Sequence, residues 1–158
     1  MKLLGGGLLA LAGALLGGSK TAELRAELRE LRSLSASLGI FESELTALQT
    51  PLPEIFEKLK SERLFLLLSA GFGGEPTERL WRRAAETLEI DAECRRALSA
   101  LGAVVGRYDA PRQAAEIAAV RARLNERAAV LEAEIAGRGR RLPGLGAALG
   151  AMAAALLF

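Results

Sequence analysis

The side chains best suited to chemistry in this 158-residue chain are a single thiol, Cys94, and two short basic pairs, Arg82-Arg83 and Arg95-Arg96. Cys94 has no second cysteine to pair with, so no oxidising compartment is implied. Histidine is absent. The commonest general base is therefore missing, and one cysteine without histidine cannot assemble an ordinary zinc site. Cys94 sits among Glu93, Arg95 and Arg96 in helical sequence, where a packed or incidental thiol is the ordinary outcome. The arginine pairs read first as a solvated face and second as a surface for an anionic partner. Glu23, Glu27 and Glu30 are interleaved with Arg25, Arg29 and Arg32, as on an exposed helix, and no carboxylate pair is set up for acid–base work. Gly71-Phe72-Gly73-Gly74 could cradle a phosphate only if a Lys-Ser/Thr pair opened the next helix. Glu75-Pro76-Thr77 follows instead, so the segment reads as a turn. No catalytic residue, no cofactor and no metal is expected.

The elements that must carry these residues are helical. Hydrophobic residues make up 51% of the chain and aromatics only 4%. Helix formers such as Leu, Ala, Arg and Glu dominate, and the residues that suit a pleated sheet are scarce. An all-α fold is expected: a compact bundle of five to six helices over residues 20–141, flanked by transmembrane helices at 1–19 and 142–158. The near balance of 21 Lys and Arg against 19 Asp and Glu argues against nucleic acid as a partner.

Within the centre, Leu24, Leu28, Leu31, Leu34, Leu38, Phe41, Leu45 and Leu48 recur every 3 or 4 residues, roughly 3.4 on average. That narrow seam predicts a helix over 21–49 packed lengthwise on another, within a bundle rather than in an intermolecular coiled coil. Thr50-Pro51-Leu52-Pro53-Glu54 stops it and starts a second helix, with Thr50 expected to cap. Leu52, Ile55, Phe56 and Leu59 form that helix's apolar face. A short helix over about 62–70 turns Leu64, Leu67 and Leu68 inward. Thr77 is expected to cap the next, which buries Leu80, Trp81, Ala84, Ala85 and Leu88, with Trp81 as a core or interface anchor. Another runs over about 91–105 and buries Leu98, Leu101 and Val105. Asp109 as cap and Pro111 in the first turn open the last soluble helix, where Ile117, Val120, Leu124, Ala128, Leu131 and Ile135 average about 3.6 apart.

Both ends are apolar. Residues 3–19 and 142–158 each hold 17 residues without a charge, at the short limit of the roughly 17–25 that span a bilayer. Gly13 and Gly17 are four apart, as are Gly146 and Gly150, a spacing that lets membrane helices approach closely. The first segment also resembles a cleaved signal peptide, with Lys2 ahead of it and Ala12-Gly13-Ala14 inside. Retention is preferred, because charged amphipathic helix begins at Thr21 without a polar, extended cleavage region. Lys20, Arg25 and Arg29 after the first segment, and Arg138, Arg140 and Arg141 before the second, face the centre. The positive-inside rule then puts the central domain in the cytoplasm and both termini outside.

The order of several features resembles the stage III sporulation protein AB family of endospore-forming bacteria. An N-terminal apolar helix is followed by Thr50-Pro51-Leu52-Pro53-Glu54, by Trp81 on a helix, and by Gly102 and Gly106 ahead of Asp109 and Gln113. A long helix and Leu142-Pro143-Gly144 then open the second apolar segment. The resemblance implies a membrane component of the channel apparatus that the mother cell builds beside the forespore. It also implies a soluble domain like that of the platform protein of type II secretion and type IV pilus machines. The implied partners are other stage III sporulation channel proteins, including the mother-cell ATPase, and the lipid membrane. Arg82, Arg83, Arg95 and Arg96 are the expected partner surface. A stand-alone pore-forming or membrane-remodelling helical protein is the alternative.

Overall fold

A computed structural model of the chain describes residues 2–155, with side chains described for residues 20–138. Six helices follow one another: α1 (Lys2–Thr46), α2 (Leu52–Lys58), α3 (Arg63–Gly71), α4 (Thr77–Glu86), α5 (Ala92–Leu101) and α6 (Ala110–Ala155). No strand occurs among the described residues, as the composition requires. The chain divides into two units, Glu27–Ala128 and Met1–Ala26 with Ala129–Phe158. Among the described residues, no helix is long and apolar enough to cross a membrane. The side chains of both apolar ends, with Gly13, Gly17, Gly146 and Gly150, lie outside the described residues.

The core of the Glu27–Ala128 unit follows the helical pattern closely. Leu31, Leu34, Leu38, Phe41 and Leu45 of α1 are buried, as are Ile117, Val120, Leu124 and Ala128 of α6. Leu28 is only half-buried, and Leu48 is 65% exposed. The helix ends at Thr46 and Gln49 turns to a positive φ of 51°, so the seam cannot reach Leu48. Phe65, absent from the expected apolar face of α3, is fully buried, while Leu67 is only half-buried.

Phe65 belongs to an aromatic cluster. Phe41, Phe56, Phe65 and Trp81 lie with ring centroids 5.7–6.5 Å apart, and Phe72 meets Phe56 edge-on at 5.5 Å. One large aromatic side chain buries about 150–250 Å², which is worth roughly 4–6 kcal/mol at about 25 cal/mol per Å². A few such rings therefore anchor four helices. Trp81 Nε1 is buried with no hydrogen-bond partner, so its place in the core rests on packing.

Several expected caps differ. Pro51 holds the N-cap position of α2, and the Thr50 hydroxyl donates instead to Glu44 Oε2 at 2.6 Å. Pro76 holds the N-cap position of α4, leaving Thr77 as its first helical residue. In both, the extended φ/ψ of proline suits the position before a helix but offers no side-chain acceptor. Asp91 does cap α5, its carboxylate accepting from the amides of Glu93 and Cys94 at 2.8 and 3.3 Å. That helix stops at Leu101, short of the expected Val105. Turns of the type Ala103 N–H to Ala100 O carry the chain to Gly106, whose φ is 79°.

α1 and α6 are joined by polar contacts across the unit. Arg127 Nε donates to Glu27 Oε1 at 3.2 Å, Ser35 Oγ to Asn125 Oδ1 at 2.7 Å, and Arg121 Nη1 to Glu42 Oε2 at 2.6 Å. Rising α1 numbers meet falling α6 numbers, so the two run antiparallel. Glu27 also accepts from the Asp91 amide at 3.2 Å. Burial pushes the Glu30 carboxyl up, against the opposing pull of the Glu89 amide and Arg63. Glu27 and Glu30 are thus half-buried inter-element contacts, where the interleaved charges had suggested an exposed face.

Candidate functional site

α4 and α5 pack against each other through opposed apolar faces. Leu80, Trp81, Ala84 and Ala85 are buried on α4; Cys94, Ala97, Leu98 and Leu101 are buried on α5. Helical periodicity then leaves Arg82 and Glu86, one turn apart, on the outer side of α4. On α5 it leaves Ala92, Arg95, Arg96 and Ser99 at successive turns. These six residues line one open groove of ≈ 490 Å³.

The four arginines expected at a partner surface are brought together only in part. Arg82, Arg95 and Arg96 come together, whereas Arg83 lies outside the groove and pairs with Glu75 at 2.6 Å. Residues 82 and 83 differ by about 100° around the helix, which turns Arg83 away from the groove and towards Glu75. Ser99 Oγ donates to the Arg95 carbonyl at 2.9 Å, which occupies the hydroxyl locally. Glu86, Ala92 and Ser99 were not anticipated from sequence. Their signal was their spacing: four residues after Arg82, and three before and four after Arg95.

Three guanidiniums around a single carboxylate can receive carboxylates or phosphates in bidentate fashion. Cys94, on the opposite side of α5, is 3% exposed. Burial pushes its thiol up, reinforced by the Asp91 carboxylate, so it is held as an inert thiol rather than a thiolate. Among the described residues, no three His, Cys, Asp or Glu side chains gather to hold a metal ion. A smaller groove of ≈ 390 Å³ is lined by Pro53, Glu54, Glu57 and Lys58.

The residues that carried the family resemblance do structural work. A Cβ on Gly102 would lie 2.7 Å from Trp81 Cβ and 2.8 Å from Glu78 Cα, so glycine is what lets the end of α5 meet α4. Gln113, buried on α6, accepts from the Gly106 amide at 3.0 Å and donates to the Tyr108 carbonyl. The Asp109 carbonyl accepts from the Gln113 amide at 3.1 Å, placing Asp109 where the cap of α6 belongs. A Cβ on Gly106 would come within 3.2 Å of Leu52 Cδ1, which brings the Thr50–Glu54 turn to the same corner. Pro51 and Pro53 start α2. Thr50 and Lys58 both donate to Glu44, and the Lys58 bond chiefly holds the Glu44 carboxyl below its usual range.

No curated protein and no solved structure matches the chain. The family model described as stage III sporulation protein AB matches residues 2–158. With that match running through the Trp81–Gly102 contact and the Gly106–Gln113 corner, the chain belongs to the stage III sporulation protein AB family.

Proposed function

We propose that the protein is a non-enzymatic, membrane-tied component of the stage III sporulation apparatus between mother cell and forespore, serving as a platform for other channel proteins and the mother-cell ATPase. The observation that carries this reading is the family match over residues 2–158. The basic groove between α4 and α5 supports it by offering a place for a partner rather than a reaction centre. The two uncharged 17-residue ends, each with Lys or Arg on its inner flank, support attachment at the membrane with residues 20–141 on the cytoplasmic side.

The test is a pull-down of tagged protein from detergent-solubilised sporulating cells, with identification of co-purifying proteins by mass spectrometry. Recovery of the ATPase and other channel proteins is expected. Recovery of the protein alone, as a self-oligomer, would remove the platform reading. Protease added outside intact mother cells should leave the central domain whole; its digestion would reverse the orientation.

A further inference from the structure

We infer that the groove between α4 and α5 docks a short acidic helix of a protein partner, whose carboxylates are received by Arg82, Arg95 and Arg96. The inference deepens the platform reading and rests on it for the existence of a protein partner.

Charge is the first argument. Many basic side chains of this chain are already tied: Lys58 to Glu44, Arg83 to Glu75, Arg121 to Glu42 and Arg127 to Glu27. Among the described residues, Arg82, Arg95 and Arg96 make no ion pair, although Glu86 lines the groove beside them. Three positive groups against one negative leave the groove with a formal charge equal to the +2 of the whole chain. Guanidiniums are weakly hydrated and planar, so they pair with carboxylates at a smaller desolvation cost than lysines would.

Shape is the second. From Ala92 to Ser99 the groove extends about 10 Å along α5, close to two helical turns. Ala92 at one end keeps the floor low there, so a helix backbone can come near. Arg82 on the α4 wall and Arg95 and Arg96 on the α5 wall place positive groups on both sides, which fits carboxylates three or four residues apart on a helix. Glu86 decides the partner class. A face meeting anionic lipid headgroups would gain nothing from a carboxylate on its wall, whereas a protein helix can set a Lys or Arg opposite it and fix its register.

The test uses full-length protein in neutral detergent and a fluorescent helical peptide carrying Glu residues three and four apart with one central Lys. A second peptide has every Glu replaced by Gln. The Glu peptide should bind with an affinity that falls as salt rises, and the Gln peptide should bind at least ~10-fold more weakly. The Arg82→Glu/Arg95→Glu/Arg96→Glu variant should lose at least ~10-fold for the Glu peptide, and Arg83→Glu should stay within ~2-fold. A charge-reversed peptide should bind the triple variant, which also shows that the variant is folded. Equal binding of Glu and Gln peptides, or an equal loss in Arg83→Glu, would overturn the inference. So would an Arg-dependent interaction only with phosphatidylglycerol vesicles, or an Arg-dependent self-association, with no peptide binding. In the pull-down, channel proteins absent from the wild-type sample would remove the platform reading. Channel proteins recovered equally with the triple variant would remove the groove inference alone.

Discussion

Trp81 and Gly102 touch at the junction of α4 and α5, where a Cβ on Gly102 would lie 2.7 Å from Trp81 Cβ. Because the second obstacle is the Glu78 backbone, a side-chain rotation cannot relieve the crowding. Gly102 has a helical φ of −61°, so its requirement for glycine is one of space and not of backbone freedom. Gly102→Ala should therefore destabilise the protein by about 2 kcal/mol. Gly137, in α6 with open space around it, is the control: Gly137→Ala should stabilise by about 0.5–1 kcal/mol. Urea unfolding of both variants checks the contrast, and equal effects would contradict it.

Gln113 closes the corner before α6 by serving both the Gly106 amide and the Tyr108 carbonyl. Gln113→Leu roughly keeps the volume but leaves the part-buried Gly106 amide and Tyr108 carbonyl without this partner. A loss of about 2 kcal/mol is expected, with faster hydrogen exchange at the Gly106 amide. Unchanged exchange there would show that the bond contributes nothing in solution.

Asp91 gives stability a defined dependence on pH. Burial alone would raise its carboxyl, but the amides of Glu93 and Cys94 and the charge of Arg127 outweigh this and hold it below its usual range. A folded-state value lower than the unfolded one means that its stabilisation is present in full above the unfolded value. It is lost as pH falls through the folded one. Asp91→Ala should cost about 1 kcal/mol at neutral pH, and the gap to wild type should narrow below pH of about 4. A gap that widens with acid would reverse the assignment.

Cys94 should behave as a reporter of unfolding. Its thiol is buried and pushed up by that burial. Alkylation by iodoacetamide at pH 8 should be slower than in the denatured chain by on the order of 100-fold. Denaturant should raise the rate in step with loss of helical circular dichroism. Fast labelling of folded protein would place the thiol at the surface.

Much of the fold was legible in the chain itself. Residue periodicity marked the buried faces of α1, α4 and α6, because every third or fourth apolar residue must share one side of a helix. The turn residues Pro51, Pro53, Asp109 and Pro111 placed the starts of two helices, since proline suits the cap position or the first turn and a short acidic side chain favours the cap. Composition determined an all-helical chain, and the missing histidine and lone cysteine removed the usual tools of catalysis. Tertiary structure decided what depends on which helix lies beside which. It separated Arg83 from its three neighbours in type and gave it Glu75, and it drew Glu27 from an apparent surface ladder into contact with Arg127 and Asp91. It also placed Phe65 in the aromatic cluster and left Leu48 in water. A single helix records only its own angular pattern. The partner of each face is set by loop lengths and by close approaches such as Gly102 on Trp81, which no spacing along the chain encodes.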